Sequence, residues 1–239
     1  MKSRIKKDSW IITRPAAHRG LHGAGIAENS NTAFTNAMEN NYPIETDVQI
    51  TSDGEIVIFH DDNLKRMTGL DCLIRNLTYA DTQKLRLGNT EDKIIKFDEF
   101  LKLIGGKVPL LIEIKTQPEK GITDKVLAAL KDYKGEFAIQ SFDPRQILEV
   151  KKKRPDILRG QLATPKKDDK LPKIKNFVLT KMPLNFLTKP DFINTEVTYL
   201  PVKKKYRKYK ILCWTVKDEE QKKKAETYAD SYVFENVRP

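Results

Sequence analysis

Short apolar runs alternate with segments of helical periodicity along the 239-residue chain. Read as strands, the runs fall at 11–17, 44–50, 56–60, 108–114, 137–141, 160–163, 192–197, 211–216 and 231–234. Between them, helical spacing is clearest at 31–40, where Ala33, Phe34, Ala37 and Met38 share one face, and recurs at 97–103, 123–133, 144–152 and 219–228. Strands alternating with helices over this length predict an α/β fold with a largely parallel sheet, and eight of the nine strands would close a (β/α)8 TIM barrel. The pattern leaves open which strand is extra or is an antiparallel hairpin partner. It is weakest over 61–107, a polar stretch with Gly69, Gly88, Gly105 and Gly106, which reads as a small insertion after the third strand and not as a separate core. Residues 1–239 are therefore read as one domain, and the lysine-rich 165–175 as a mobile loop.

Composition narrows the class. An apolar fraction of 39% supports a core and excludes a wholly disordered chain. No stretch approaches the ~20 apolar residues of a membrane span. The basic start is broken by Thr13, Arg14 and Pro15 too early for a signal peptide. Cys72 and Cys213 have no zinc-site or disulfide-framework spacing, so a reduced, cytoplasmic protein is expected. The net charge of +11 is uneven: residues 1–150 hold 21 basic and 22 acidic residues, and 151–239 hold 23 and 11. Such a basic half suits solvated lysine-rich faces, with weak contact to an anionic membrane as a further possibility; nucleic acid is not expected as a partner.

Reactive side chains gather where predicted strands end. His18-Arg19-Gly20 follows the first, Glu45 and Asp47 lie on the second, His60-Asp61-Asp62 ends the third, and Glu113 and Lys115 end the fourth. In a parallel barrel the loops after the strands build the active face, so these groups should converge. Glu45 and Asp47, two apart on a strand, point the same way, and two buried carboxylates are costly unless they share a cation. Glu113 is a plausible third oxygen ligand, and an all-carboxylate set suits Mg²⁺ or Ca²⁺ better than zinc. A buried Glu–Lys ion pair is the plainer alternative. His18 and His60 would supply an acid and a base near neutral pH. His22, in a glycine-flanked loop, is given no role.

The ordered strings HRG (18–20), AENS (27–30), ETDVQITSDGEIVIFHDD (45–62), RMTG (66–69), LLIEIK (110–115), QSFD (140–143) and CWTV (213–216) resemble the glycerophosphodiester phosphodiesterase family nearly end to end. The resemblance implies a TIM barrel and metal-dependent hydrolysis of glycerophosphodiesters to glycerol 3-phosphate and an alcohol, a step of lipid and glycerol metabolism. It matches His18 and His60 to the catalytic histidines, Glu45, Asp47 and Glu113 to the metal ligands, and Arg19 and Lys115 to phosphate contacts. Glu28 and Asn29 would brace the site, Gln140 would give polar support, and Trp214 would line the glycerol pocket. Departures are Ala27 for the usual proline, Lys217 where asparagine is common, and Glu235 near the usual aspartate. A phospholipase D-like activity on lysophospholipids would use the same residues. A non-catalytic nucleic-acid-binding role would leave the strand-end carboxylates and histidines unexplained.

Overall fold

A computed structural model describes residues 3–119, 121–164 and 172–239. Its strands are β1 (Ala16–His18), β2 (Ile44–Ile50), β3 (Ile56–Ile58), β4 (Leu110–Ile114), β5 (Phe137–Ser141), β6 (Leu158–Ala163), β7 (Phe192–Glu196), β8 (Lys210–Val216) and β9 (Ser231–Phe234). The helices are α1 (Trp10–Thr13), α2 (Asn31–Glu39), α3 (Lys65–Thr68), α4 (Tyr79–Thr82), α5 (Phe97–Ile104), α6 (Ile122–Ala129), α7 (Pro144–Lys153), α8 (Lys173–Lys181), α9 (Asn185–Thr188) and α10 (Glu219–Tyr228). The fold is a (β/α)8 TIM barrel: β1, β2 and β4 to β9 are its eight strands, and β3 is the extra one. Two compact units divide the chain, Ala17–Phe137 and the N-terminal residues up to Ala16 with Ala138–Pro239.

In the Ala17–Phe137 unit, β2 pairs in parallel with β1 and β4 and in antiparallel with β3. Only five residues join β2 to β3, whereas a parallel crossover needs about a dozen. They form a tight turn in which the Thr51 N–H donates to the Glu55 carbonyl (3.0 Å) and the Glu55 N–H to the Thr51 hydroxyl (3.1 Å). β2 and β4 are buried along their whole length, as expected of strands covered on both faces. Helix α2 starts at Ser30, whose hydroxyl accepts from the Ala33 N–H at 3.1 Å. Helix α5 buries Phe97, Phe100, Leu101 and Ile104 on one face, with Phe100 edge-on to Phe34 of α2.

The excursion after β3 departs from expectation. Leu64, Ile74, Leu87 and Ile94 pack with Val57 and Phe59 into a small buried cluster of their own. These apolar residues are set by turns, not by one repeating period, so the pattern did not advertise them. Residues 97–104 are a regular helix packed on β3, so the excursion is shorter than 61–107.

In the other unit β5 to β9 pair in parallel in sequence order. Helix α7 is capped by Asp143, whose carboxylate accepts from the Arg145 N–H at 2.8 Å, with Pro144 at the first helical position. The predicted strand over 11–17 is a correction: 10–13 is a helical turn and the strand is only Ala16–His18. Of the expected loop at 165–175, residues 165–171 lie outside the described residues, and 173–175 open helix α8.

Gly160 on β6 lies opposite Phe192 on β7, and a Cβ there would come within 2.1 Å of the fully buried Phe192 ring. Gly160→Ala is therefore expected to destabilise the protein by about 1–3 kcal/mol, read by urea unfolding, because the ring has nowhere to move.

Candidate active site

Strand register assembles the first layer of the site. Glu45 stands opposite His18 of β1, and Asp47 opposite Glu113 of β4. Glu45, Asp47 and Glu113 are all buried, and one carboxylate oxygen from each falls within 4.8 Å of the others. The Lys115 ammonium lies 2.9 Å from Glu113 Oε1 and 3.5 Å from Asp47 Oδ1.

His60 arrives on the strand that turns out to be the antiparallel one. β3 is antiparallel, so its end runs back along β2, and the Phe59 N–H donates to the Asp47 carbonyl at 3.1 Å. The Gln49 side-chain amide clamps the turn, donating to the Phe59 carbonyl (2.9 Å) and the Asp61 carbonyl (2.8 Å) on either side of His60. His60 thereby acts electrostatically on both Asp47 and Glu113. Its Nδ1 is 2.6 Å from Asp61 Oδ1.

The loop after β1 bends twice through left-handed backbone, at Arg19 (φ 54°) and Gly20 (φ 80°). A Cβ on Gly20 would lie 2.9 Å from Ala33 of α2, so glycine is required there on both counts. The bend turns the Arg19 N–H toward Glu45 Oε2 at 3.3 Å. The Arg19 guanidinium is 2.5 Å from Glu28 and 3.7 Å from Asp47, and its Nε is buried with no hydrogen-bond partner among the described residues. Asn29 donates to Asp47 Oδ2 at 3.0 Å and accepts from the Thr46 hydroxyl at 2.9 Å.

Charge is distributed unequally over the trio. Burial, then the charges of Asp47 and Glu113, push the Glu45 carboxyl well above its ordinary range. Burial likewise raises Glu113, with Asp47 adding to it against the opposing Lys115. Asp47 goes the other way: against desolvation, Lys115, His60 and Arg19 hold it at about 2. One negative charge is thus secured on Asp47 while its neighbours are driven toward neutrality. A divalent cation at the trio would relieve that conflict, so the donor set fits a hard cation such as Mg²⁺ or Ca²⁺.

Three further residues hold these groups, although the sequence reading assigned them no role. Arg66 bridges Asp61 (Nε, 2.6 Å) and Glu28 (Nη2, 2.6 Å), and these carboxylates raise its pKa. Asp61 and Arg66 stand in the HDD and RMTG strings, where adjacency to His60 was the available signal. Gln49 continues the Glu45, Asp47 alternation and is fully buried, an unusual place for an amide. The His22 ring is 6.4 Å from the His18 ring, tilted by 54°, so the loop histidine stands beside the strand-end one. Gln140 and Trp214 belong to the other unit. Gln140 on β5 accepts from Asn194 at 2.9 Å, and Trp214 on β8 meets Phe142 edge-on at 5.9 Å. The departures Lys217 and Glu235 pair with each other at 3.2 Å.

Comparison with known proteins gives a family model, described as the glycerophosphoryl diester phosphodiesterase family, that matches residues 18–234. A glycerophosphodiester phosphodiesterase of Caldanaerobacter subterraneus is 35% identical over 158 residues, covering 61% of this chain and 65% of that one. A human lysophospholipase D is 31% identical over 112 residues, covering 46% of this chain and 34% of that one. The matches to these two curated relatives thus span less than two thirds of the relatives' lengths. The structure of an Oleispira antarctica phosphodiesterase in complex with the product sn-glycerol-3-phosphate superposes with a TM-score of 0.76 at 23% identity, covering 94% of this chain and 93% of that one.

Proposed function

The chain belongs to the glycerophosphoryl diester phosphodiesterase family, and on that premise we propose that it hydrolyses glycerophosphodiesters to glycerol 3-phosphate and an alcohol. The observation that carries the reading is the buried Glu45, Asp47, Glu113 trio flanked by Lys115, Arg19 and His60. Glu45, Asp47 and Glu113 would hold a divalent cation, Mg²⁺ or Ca²⁺. When bound, such a cation polarises a phosphoryl oxygen and lowers the pKa of a nearby hydroxyl.

The protein's own groups do the rest. Asp61, 2.6 Å from His60 Nδ1, accepts that nitrogen's hydrogen and orients the ring, which leaves Nε2 as the nitrogen that takes the proton of the attacking hydroxyl. Arg66 holds Asp61 in turn. His18 is then assigned to protonate the departing alcohol. The Arg19 Nε, which makes no hydrogen bond among the described residues, and the Lys115 ammonium are donors for oxygens that gain charge at phosphorus. No Ser or Cys stands with a base among the described site residues, so the attacking oxygen comes from substrate or water. The glycerol 2-hydroxyl is already tethered near phosphorus and has a large effective-molarity advantage. Its attack expels the alcohol and leaves a five-membered cyclic phosphate, which water opens to glycerol 3-phosphate as the histidines exchange roles.

Glycerophosphodiesters are accordingly expected to turn over far faster than bis(p-nitrophenyl) phosphate, and phosphorus NMR to show a transient cyclic phosphate. Equal kcat/KM on both substrates would instead indicate direct attack by water. The lysophospholipase D relative favours lysophospholipids as a second substrate class with the same groups in the same roles. Turnover of a lysophospholipid against a soluble glycerophosphodiester separates the two.

A further inference from the structure

Helices α8 and α9 are built inside out. A surface helix normally buries its apolar stripe and wets its polar one. On α8 the buried positions are Asn176 and Thr180, four apart, while Ile174 (73% exposed) and Phe177 (52%) face outward. On α9 the buried positions are Asn185 and Thr188, three apart, while Phe186 (70%) and Leu187 face outward. The buried hydroxyls turn onto their own helices, Thr180 donating to the Asn176 carbonyl (2.8 Å) and Thr188 to that of Leu184 (3.3 Å). Four of the six large apolar side chains that the described surface exposes thus fall within fourteen residues of chain. Such concentration marks an interaction surface more than scattered surface leucines do.

The side chains carried by the two helices and their link are charged with one sign: of the residues described between 172 and 190, Lys173, Lys181 and Lys189 are basic and none is acidic. The last turn of α7, which packs against α9, adds Lys151, Lys152 and Lys153, and Lys151 reaches the Leu187 carbonyl. Desolvation, and after it the charges of Lys189, Arg159 and Lys152, hold the Lys151 ammonium below its ordinary range.

We propose that α8 and α9 form a docking face for an anionic lipid bilayer surface, with Ile174, Phe177, Phe186 and Leu187 dipping into the acyl boundary and the lysines resting on phosphate headgroups. Apolar residues inserted about 5–10 Å within a basic rim are how interfacial helices bind. A second copy is a poor occupant, because a two-fold pairing would set one lysine rim against another. Single-stranded nucleic acid would stack on Phe177 and Phe186 but would leave Ile174 and Leu187 without a partner, whereas an acyl layer takes all four.

Flotation with vesicles tests this. The 239-residue protein is expected to float with vesicles of phosphatidylcholine and phosphatidylglycerol, and far less with phosphatidylcholine alone or in high salt. Phe177→Ser with Phe186→Ser, and separately Lys181→Glu with Lys189→Glu, are each expected to weaken the binding about tenfold or more, with thermal unfolding and turnover of a soluble diester unchanged. Equal flotation of parent and both variants, or no preference for the anionic vesicles, would overturn the proposal. So would a concentration-dependent dimer in sedimentation that the Phe177→Ser, Phe186→Ser variant abolishes, since a second copy would then be the occupant. If either variant unfolds early, Ile174→Ser with Leu187→Ser serves in its place and must show the same loss.

Discussion

Turnover is expected to fall to background in excess EDTA and to return on adding Mg²⁺ or Ca²⁺. Glu45→Ala and Asp47→Ala are each expected to lose activity and cation binding together. The same site can be read without catalysis. Glu45 binds its proton more tightly in the folded protein than in the unfolded chain, where it titrates near 4.5. Its contribution to stability is therefore full below that value and is lost as pH rises through the higher folded value. Asp47, held at about 2, works in the opposite sense and in a lower window, contributing above its ordinary 3.8 and losing that only as pH falls. A bound cation takes the place of the retained protons. The rise in melting temperature on adding cation should accordingly be larger at pH ~8 than at pH ~5. Glu45→Gln removes one of the repelling charges, so in chelator it should melt no lower than the parent while losing the cation-dependent rise. Full activity in EDTA, or a Glu45→Gln protein that still responds to cation, would remove the trio from the metal role.

Replacing either histidine is expected to cost on the order of 10²-fold or more in kcat, the usual contribution of a positioned proton-transfer group. His60→Ala and His18→Ala should do so with little change in KM. Asp61→Asn leaves the His60 ring contact but removes its charge, and should lower kcat by a smaller factor, also with KM little changed. Arg66→Met, one step further out, should fall between Asp61→Asn and the parent. His22→Ala is the comparison that discriminates. Its ring stands 6.4 Å from His18, so a loss as large as that of His60→Ala would transfer the second proton-transfer role from His18 to its neighbour.

Much of this was legible in the chain because barrel architecture is repetitive. LLIEI is buried on both faces and reads as a short apolar run, and IETDVQI, equally buried, is framed by Ile44, Val48 and Ile50. The carboxylates within them stand out because an apolar strand has no reason to carry them otherwise. The helix starts expected at 31 and 144 fall where the structure has them, each fixed by a cap one residue before, Ser30 and Asp143.

What escaped the sequence depended on residues distant in the chain. The pattern left open which strand is the antiparallel one; it is β3, which carries His60 back beside Asp47. The five-residue link between β2 and β3 held that information, since so short a loop joins only antiparallel neighbours. Arg66 gains its meaning from carboxylates at 28 and 61, and Gln49 from carbonyls at 59 and 61, contacts that no window of sequence shows. Helices α8 and α9 are the sharpest case: Asn176 and Thr180 inward with Phe177 outward could be assigned only once the surroundings of each face were known. Periodicity tells which residues share a face; which face is turned to the core is decided by the tertiary packing against it.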